Sequence, residues 1–296
     1  MLAAVTPLSP QTGATAARTL RFGHSPDADD AYMFYGFHAG LAAIPGCRVE
    51  HVMEDIQSLN RRALERADLE LTAVSAHAYA FLADRYAVLS CGASMGMGFG
   101  PVVVARAATP LTALRGKRVA IPGPLTTAAL LLRIECPECE PVEVAFDRIP
   151  AAVAAGEVDA GVIIHESQLT YHDQGLFKVL DFGELWHRRD GLPLPLGLDV
   201  VRRDLGPDLM CAASQGFRAS IQAARDHEDE AIRYALQFGR GPTRRGRRSS
   251  STCTSTISPW TWATPAGARS SGSIARPPRR GRSAASRRSR SSEGAG

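Results

Sequence analysis

The stretch RVAIPGPLTTAALLL, residues 118–132, passes from a buried strand through a tight turn into a helix. Arg118–Ile121 is short and mostly apolar, whereas the residues from Thr126 to Ile134 have helical periodicity and follow a Pro-Gly-Pro turn. The same alternation runs along most of the chain. Strands separated by helices predict parallel βαβ units, and therefore an α/β fold.

The predicted elements extend this alternation from residue 19 to residue 237. Strands are predicted at Thr19–Gly23, Arg48–Met53, Leu69–Val74, Ala87–Cys91, Pro101–Ala105, Arg118–Ile121, Val142–Phe146 and Ala160–Ile164. Helices are predicted at Asp30–His38, Asp55–Arg66, Pro110–Leu114, Thr126–Ile134, Ile149–Ala155 and Leu209–Gln237.

Charge is distributed unevenly along the chain. Residues 241–296 contain 12 Arg, no Lys and one Glu, whereas the first 240 residues carry 22 basic and 29 acidic side chains. The basic segment lacks aromatic residues interleaved with its arginines, so we predict no nucleic-acid partner. Its Ser, Arg, Gly, Pro, Ala and Thr residues cannot bury enough apolar surface to offset chain entropy. We predict a disordered leader over 1–18 and a disordered tail over 241–296.

No stretch of the sequence predicts export or membrane insertion. The first 20 residues lack a cationic region followed by an apolar run, and no apolar run approaches the length of a membrane span. The cysteines are scattered, which is typical of reduced thiols in a large domain. We predict a cytoplasmic protein without a membrane partner, and the sequence leaves its oligomeric state open. The cysteines are Cys47, Cys91, Cys136, Cys139, Cys211 and Cys253.

Two junctions between a predicted strand and a helix carry small and polar residues. They are FGHSPDADD, residues 22–30, and PGPLTTA, residues 122–128. Ligands bind at the carboxyl ends of strands in open α/β sheets, and free N–H groups at the start of a helix suit an anion. The alternative is ordinary helix capping, by an Asp in the first segment and by Thr126 or Thr127 in the second.

A third junction, GVIIHES, ends a buried apolar strand abruptly at His165 and Glu166. A partly buried histidine can accept a proton near neutral pH, so His165 is a candidate general base. The alternative is a histidine that only satisfies local hydrogen bonds, as most histidines do, and the chain has seven others.

Two further motifs do not predict a cofactor or metal site. The glycines of Gly96–Gly100 resemble part of a dinucleotide fingerprint, but a strand and not a helix follows them. The CPEC segment, residues 136–139, has no second cysteine pair and no histidine at zinc-finger spacing. We predict neither a cofactor nor a metal ion.

Taken together, these segments resemble the 1,4-dihydroxy-6-naphthoate synthase family of the futalosine route to menaquinone. The strings that carry the resemblance occur in order between about residues 20 and 205. They include GHSPDADDAYMFYG at 23–36, LTAVSAHAYAFLADRYAVL at 71–89, RVAIPGPLTTAALLL at 118–132 and AGEVDAGVIIHESQLTY at 155–171.

The resemblance implies the fold of type II periplasmic solute-binding proteins, with two α/β lobes that close over a ligand cleft. On that basis we expect lobe one at residues 19–107 together with 198–240, and lobe two at 108–197. The implied ligand is a small-molecule substrate between the lobes.

The resemblance also implies a reaction and a set of site residues. The reaction converts cyclic dehypoxanthinyl futalosine to 1,4-dihydroxy-6-naphthoate and releases a small sugar-derived fragment, without a cofactor. The family's proton acceptor falls on His165. Its substrate-binding positions fall on Ala73, Val74, Ser75, Thr127 and Ala128, and its first cleft loop on Ser25, Asp29 and Asp30.

Two positions depart from the family pattern. The family often has Lys where this chain has Ala73, so one cation is missing. The first loop is commonly SPCPND in the family and is SPDADD here, and we expect the extra acid at Asp27 to repel an anionic substrate.

Three alternatives to the synthase remain. The chain could be a solute-binding protein without enzymatic activity, the chorismate dehydratase of the same pathway and fold, or an inactive sensor. The missing export signal disfavours the first, and the strings GVIIHESQLTY and PGPLTTA favour the synthase over the second.

The last residues are predicted to be a frameshifted form of the family's C-terminus. Combining the third base of each codon with the next two bases turns Trp260-Thr261 into Asp and Trp262-Ala263 into Gly. With permitted codons elsewhere, residues 253–270 become YVNDFTVDMGDAGRRAV, which resembles the family's terminal segment. Resequencing the gene tests this: we expect a one-base shift near codon 241, and an uninterrupted frame in an active protein would refute it.

Overall fold

A computed structural model describes residues 17–165 and 167–238 of the chain. The predicted leader over 1–18, except for its last two residues, and the predicted tail over 241–296 lie outside these ranges, as does Glu166. Within the described ranges, no helix is long and apolar enough to cross a membrane.

Strands and helices alternate along the described chain. The strands are β1 (Arg18–His24), β2 (Cys47–Met53), β3 (Leu71–Ser75), β4 (Tyr86–Val88), β5 (Ser94–Gly96), β6 (Val102–Ala105), β7 (Arg118–Ile121), β8 (Glu140–Glu143), β9 (Ala160–Ile163), β10 (Phe177–Asp181) and β11 (Leu194–Arg202). The helices are α1 (Ala28–His38), α2 (Ile56–Glu65), α3 (Ala76–Tyr79), α4 (Thr127–Glu135), α5 (Ile149–Ala155), α6 (Ser167–Thr170), α7 (Phe182–Asp190), α8 (Pro207–Asp226) and α9 (Glu228–Ala235).

The first sheet has the strand order β2-β1-β3-β11-β4, with β5 also paired to β11. β1 is parallel to β2 and β3, whereas β11 is antiparallel to β3, β4 and β5. Because β1 and β3 run in the same direction, their carboxyl ends and the loops that follow meet at one edge. Ser75 of β3 lies opposite Gly197 of β11 at that edge.

The second sheet has the strand order β10-β6-β9-β7-β8. β7 is parallel to both β8 and β9, and β6 is antiparallel to β9 and β10. Its central strands are fully apolar and buried, as expected for strands covered on both faces. The predicted α/β class is therefore correct, although the strands that connect the sheets add antiparallel pairs.

Two segments belong to a different sheet from the one that the predicted lobe limits imply. Val102–Ala105 was expected in lobe one, within 19–107, but it pairs with β9 and β10 in the second sheet. Leu194–Gly197 was expected in lobe two, within 108–197, but it begins β11 of the first sheet. The chain thus crosses between the sheets before residue 102 and again before residue 194.

Helices α8 and α9 cover the first sheet by packing on α1. The backbones of α1 and α8 approach so closely at Gly36 that a Cβ atom there would overlap the backbone of Ser220. Phe22, Phe34 and Phe217 form an aromatic core beneath them, with ring centroids 4.5–5.1 Å apart. This packing fixes the start of α1, which forms one wall of the cleft.

Candidate active site

A cavity between the two sheets is lined by the loops that follow β1, β3, β7 and β9, and by the crossing strand β11. All nine residues expected from the sequence line this one cavity. They are Ser25, Asp29, Asp30, Ala73, Val74, Ser75, Thr127, Ala128 and His165. The structure therefore brings the predicted set together, and their individual roles remain predictions.

The loop between β1 and α1 is held by hydrogen bonds to its own backbone. Asp27 caps α1 by accepting a hydrogen bond from the Asp30 N–H at 2.9 Å, and Asp30 Oδ2 accepts one from the Ser25 N–H at 2.6 Å. Behind the loop, burial lowers the pKa of His24 to about 4. His24 is neutral near pH 7 and lies 3.0 Å from the Ser25 carbonyl.

His165 is paired across the cleft with Asp27. The distance from His165 Nδ1 to Asp27 Oδ2 is 3.1 Å, and the two side chains are 23% and 11% exposed. Burial pushes the pKa of Asp27 upward, but the charge and hydrogen bond of His165 outweigh it, so this pKa lies below its ordinary value. Asp27 is therefore an ionised partner of His165 that also lines the cavity, and the repulsion of an anionic substrate expected from the sequence stays a prediction.

The backbone of His165 is in an unusual conformation. Its φ angle of 54° lies in the left-handed region, which few residues other than glycine adopt. The Phe146 ring packs against the imidazole edge-on at a centroid distance of 5.2 Å. Strained residues of this kind cluster at sites where the surrounding structure holds a side chain in place for a function.

Two further carboxyl groups lie in the cleft wall, and both resist ionisation. Burial, reinforced by the negative charge of Asp27, raises the pKa of Asp30 well above its ordinary value. Burial raises the pKa of Asp199 in the same way, and Asp30 adds to the effect because the two neighbouring carboxyl groups oppose each other's ionisation. The wall therefore combines one carboxyl group whose pKa is lowered, Asp27, with two whose pKa is raised, Asp30 and Asp199.

The second predicted junction begins α4, and its two threonines have different functions. Thr126 is the cap: its Oγ1 accepts a hydrogen bond from the Ala129 N–H and donates one to the Gly123 carbonyl. Thr127 Oγ1 instead donates to the Leu196 carbonyl at 2.7 Å and accepts a hydrogen bond from the His77 N–H at 3.3 Å. Its hydroxyl thus ties the second sheet to the first.

Ser75 is positioned from α2. Asn60 donates a hydrogen bond to Ser75 Oγ at 2.9 Å and accepts one from the Ser75 N–H at 2.8 Å. Asn60 is fully buried. Because the Oγ already accepts one hydrogen bond, the Ser75 hydroxyl can donate its proton towards the cavity.

Several cavity residues were not predicted from the sequence. Asp27 was recognised only as a departure from a family pattern, and Asp199 lies on a strand that was not predicted. The other cavity residues absent from the predicted set are mostly small or apolar, so their residue types alone do not mark a site. They are Met33, Ile56, Gly92, Ser94, Met95, Phe99, Pro101, Thr126, Ile164, Gln168 and Leu196–Leu198.

Among the glycines at 96–100, Gly96 and Gly100 have a packing role, as does Gly183 of α7. A Cβ atom at Gly96 would overlap the Phe99 carbonyl, and one at Gly183 would overlap the backbone at Phe99 and Gly100. They allow the crossing segment to lie directly against the start of α7. Among the described residues, no three His, Cys, Asp or Glu side chains cluster as a metal site.

Known sequences match most of the chain. A profile of the family described as menaquinone biosynthesis matches residues 20–253. The chain belongs to the menaquinone biosynthesis family. This family member is 48% identical over 215 residues to a 1,4-dihydroxy-6-naphtoate synthase from Thermus thermophilus, covering 73% of this chain and 78% of the relative. It is 36% identical over 229 residues to a synthase of the same name from Streptomyces coelicolor, covering 75% and 79%.

Solved structures agree with this assignment. A crystal structure from Archaeoglobus fulgidus is 47% identical to this family member, with a TM-score of 0.76 over 82% of this chain and 90% of that one. The alkanesulfonate-binding protein of Xanthomonas axonopodis is 17% identical, with a TM-score of 0.58 over 74% and 78%. The second likeness shows the fold alone. The predicted two-lobed fold of periplasmic binding proteins and the predicted family are both confirmed.

Replacing Thr127 with Val is expected to raise KM and also to lower the free energy of unfolding. The variant loses two hydrogen bonds between the sheets, each worth about 0.5–1.5 kcal/mol. Thr127→Ser keeps the hydroxyl and serves as the control, with KM and stability near those of the unchanged protein. Steady-state kinetics and urea unfolding measure both quantities, and an unchanged KM in the Val variant would remove Thr127 from the site.

Proposed function

We propose that this chain converts cyclic dehypoxanthinyl futalosine to 1,4-dihydroxy-6-naphthoate, with His165 as the proton acceptor. The observation that carries the proposal is the His165–Asp27 pair at the mouth of the interlobe cavity, 3.1 Å apart. A base must be held in the correct tautomer and orientation, and a carboxylate on one ring nitrogen does both. The names of the two curated relatives support the same reaction.

The imidazole can act through its second nitrogen. Asp27 occupies Nδ1, so Nε2 is the atom that takes a proton from the sugar-derived ring. The carboxylate then stabilises the imidazolium that forms. Fragmentation of the ring leaves an aromatic naphthoate, and aromatisation drives the step. Closure of the lobes excludes water from the cavity during proton transfer.

The substrate is held by groups from both sheets. Ser75 lies at the carboxyl end of β3, and Thr127 begins α4, where backbone N–H groups lack partners within the helix. Such donors suit the oxygen atoms of a small anionic substrate. The proposed reaction takes place in the cytoplasm and needs no bound cofactor.

Incubation of the purified chain with cyclic dehypoxanthinyl futalosine tests the proposal. We expect naphthoate to form, detected by its absorbance and by mass spectrometry. Chorismate serves as the second substrate, because the alternative dehydratase would consume it. Turnover of chorismate alone would overturn the proposal in favour of that enzyme, and binding of the futalosine without turnover would favour a solute-binding protein.

A further inference from the structure

Asp199 is a cavity residue whose carboxyl group has no partner suited to a negative charge. The residue is 2% exposed, and its Oδ1 atom has no hydrogen-bond partner among residues 17–165 and 167–238. It nevertheless lines the same cavity as His165. A buried carboxyl without a partner costs free energy, so its presence calls for a ligand or a function.

The structure around this carboxyl leaves room for it. Asp199 lies on β11 directly opposite Ala73 of β3, so both side chains share the face that lines the cavity. Gly92 adopts a left-handed φ of 82°, and a Cβ atom there would overlap both Asp199 Oδ2 and the Phe217 ring. The carboxyl therefore fits only because residue 92 is glycine.

The charged and titratable groups near Asp199 favour its neutral form. Burial raises the pKa of Asp199, and Asp30 from α1 raises it further because the two neighbouring carboxyl groups oppose each other's ionisation. The Cys91 thiol, from the segment after β4, adds no charge near neutral pH, because its pKa is raised to about 12, chiefly by burial. Ala73, opposite Asp199 on β3, and Phe217 from α8 carry no charge.

We propose that Asp199 is a second catalytic residue, which presents a protonated carboxyl group as a hydrogen-bond donor to a carbonyl or hydroxyl oxygen of the substrate. This role of Asp199 rests on the proposed function, because the donor needs a substrate oxygen that gains negative charge when His165 removes a proton. The proton stays on Asp199 throughout, so no further acceptor is required. When their surroundings drive the pKa values of two carboxyl groups apart, as for Asp27 and Asp199, one can remain ionised while the other serves as a hydrogen-bond donor.

Three variants test the proposal. Asp199→Leu removes the donor and is expected to lower kcat/KM by roughly 10²-fold, as for loss of one preorganised donor. Asp199→Asn keeps an N–H donor, so we expect a loss below about tenfold together with loss of the basic limb of the pH profile. Asp181→Asn is the matched control, since Asp181 is a buried carboxyl that caps α7 outside the cavity, and it should keep full activity.

A measurement without substrate gives a separate test. Folding raises the pKa of this carboxyl group above its value in the unfolded chain. Below that unfolded value the group does not affect the free energy of unfolding, and above it the free energy of unfolding falls as the pH rises. The melting temperature of Asp199→Asn minus that of the unchanged protein should therefore grow as the pH rises from about 4 to about 7. A constant difference across this range would overturn the proposal.

The kinetic outcomes are also decisive. An Asp199→Leu variant with unchanged kcat/KM, or an Asn variant as impaired as the Leu variant at every pH, would overturn the role of Asp199. If the unchanged protein forms no naphthoate, the proposed function fails instead. In that case calorimetric binding of the cyclic futalosine still tests Asp199, because the Leu variant must bind it more weakly than the Asn variant.

Discussion

Replacing His165 with Gln is expected to lower kcat by roughly 10²–10⁴-fold, the usual contribution of a general base. Gln cannot take up a proton near neutral pH, although it fills a similar volume. The substrate contacts of Ser75 and Thr127 remain, so ligand-induced thermal stabilisation should change little. Steady-state formation of naphthoate and a thermal shift with substrate measure the two effects.

Two controls separate chemistry from backbone strain at this position. Asn adopts the left-handed conformation of His165 more readily than Gln, so His165→Asn should be just as inactive while folding at least as well. His187→Gln on the exposed surface of α7 should keep normal turnover. A His165→Gln variant with near-normal kcat would remove this residue from the mechanism.

Replacing Asp27 with Asn is expected to lower kcat by roughly 10–100-fold, a part of what the base itself contributes. The amide no longer stabilises the imidazolium, so the acidic limb of the kcat/KM profile should move to lower pH. Because the pKa of Asp27 is depressed in the folded protein, its ionisation stabilises the fold at neutral pH. That contribution disappears as the pH falls through the depressed pKa, and the Asn variant should lack this acid-dependent loss.

Asp55→Asn is the matched control for Asp27→Asn. Asp55 caps α2 as Asp27 caps α1, accepting hydrogen bonds from the Gln57 and Ser58 N–H groups, but it does not line the active-site cavity. Asn is nearly as good a cap as Asp, so the stability of this variant should change by only a few tenths of a kcal/mol. A similar shift of the pH profile in both variants would contradict a specific role for Asp27.

The local sequence pattern was sufficient to predict helices and strands whose bounds are set by their own residues. Arg118–Ile121 and Ile149–Ala155 were predicted with the same bounds that the structure shows. The predicted helix at Leu209–Gln237 is interrupted at His227, between α8 and α9. The strand predicted at Val142–Phe146 lies earlier, at Glu140–Glu143, because its pairing with β7 sets the register.

The elements that join the sheets could not be predicted from local pattern. β11 contains Pro195, Gly197, Asp199 and Arg202, residues that argue against a central strand. It is held by pairing with β3, β4 and β5, which lie about 100 residues earlier in the chain. Asp199 was missed for the same reason. The pairing of Asp27 with His165 likewise depends on two loops from different sheets meeting across the cleft.

The position of β11 also determines the order in which the chain can fold as it is synthesised. All five strands of the second sheet come from one continuous segment, residues 102–181. The first sheet has a gap between β3 and β4 until residues 194–202 emerge and fill it. Contacts that close long loops form late, because the entropy of closure must be overcome first. On the ribosome, the second sheet therefore completes before the first, and the cleft is formed last.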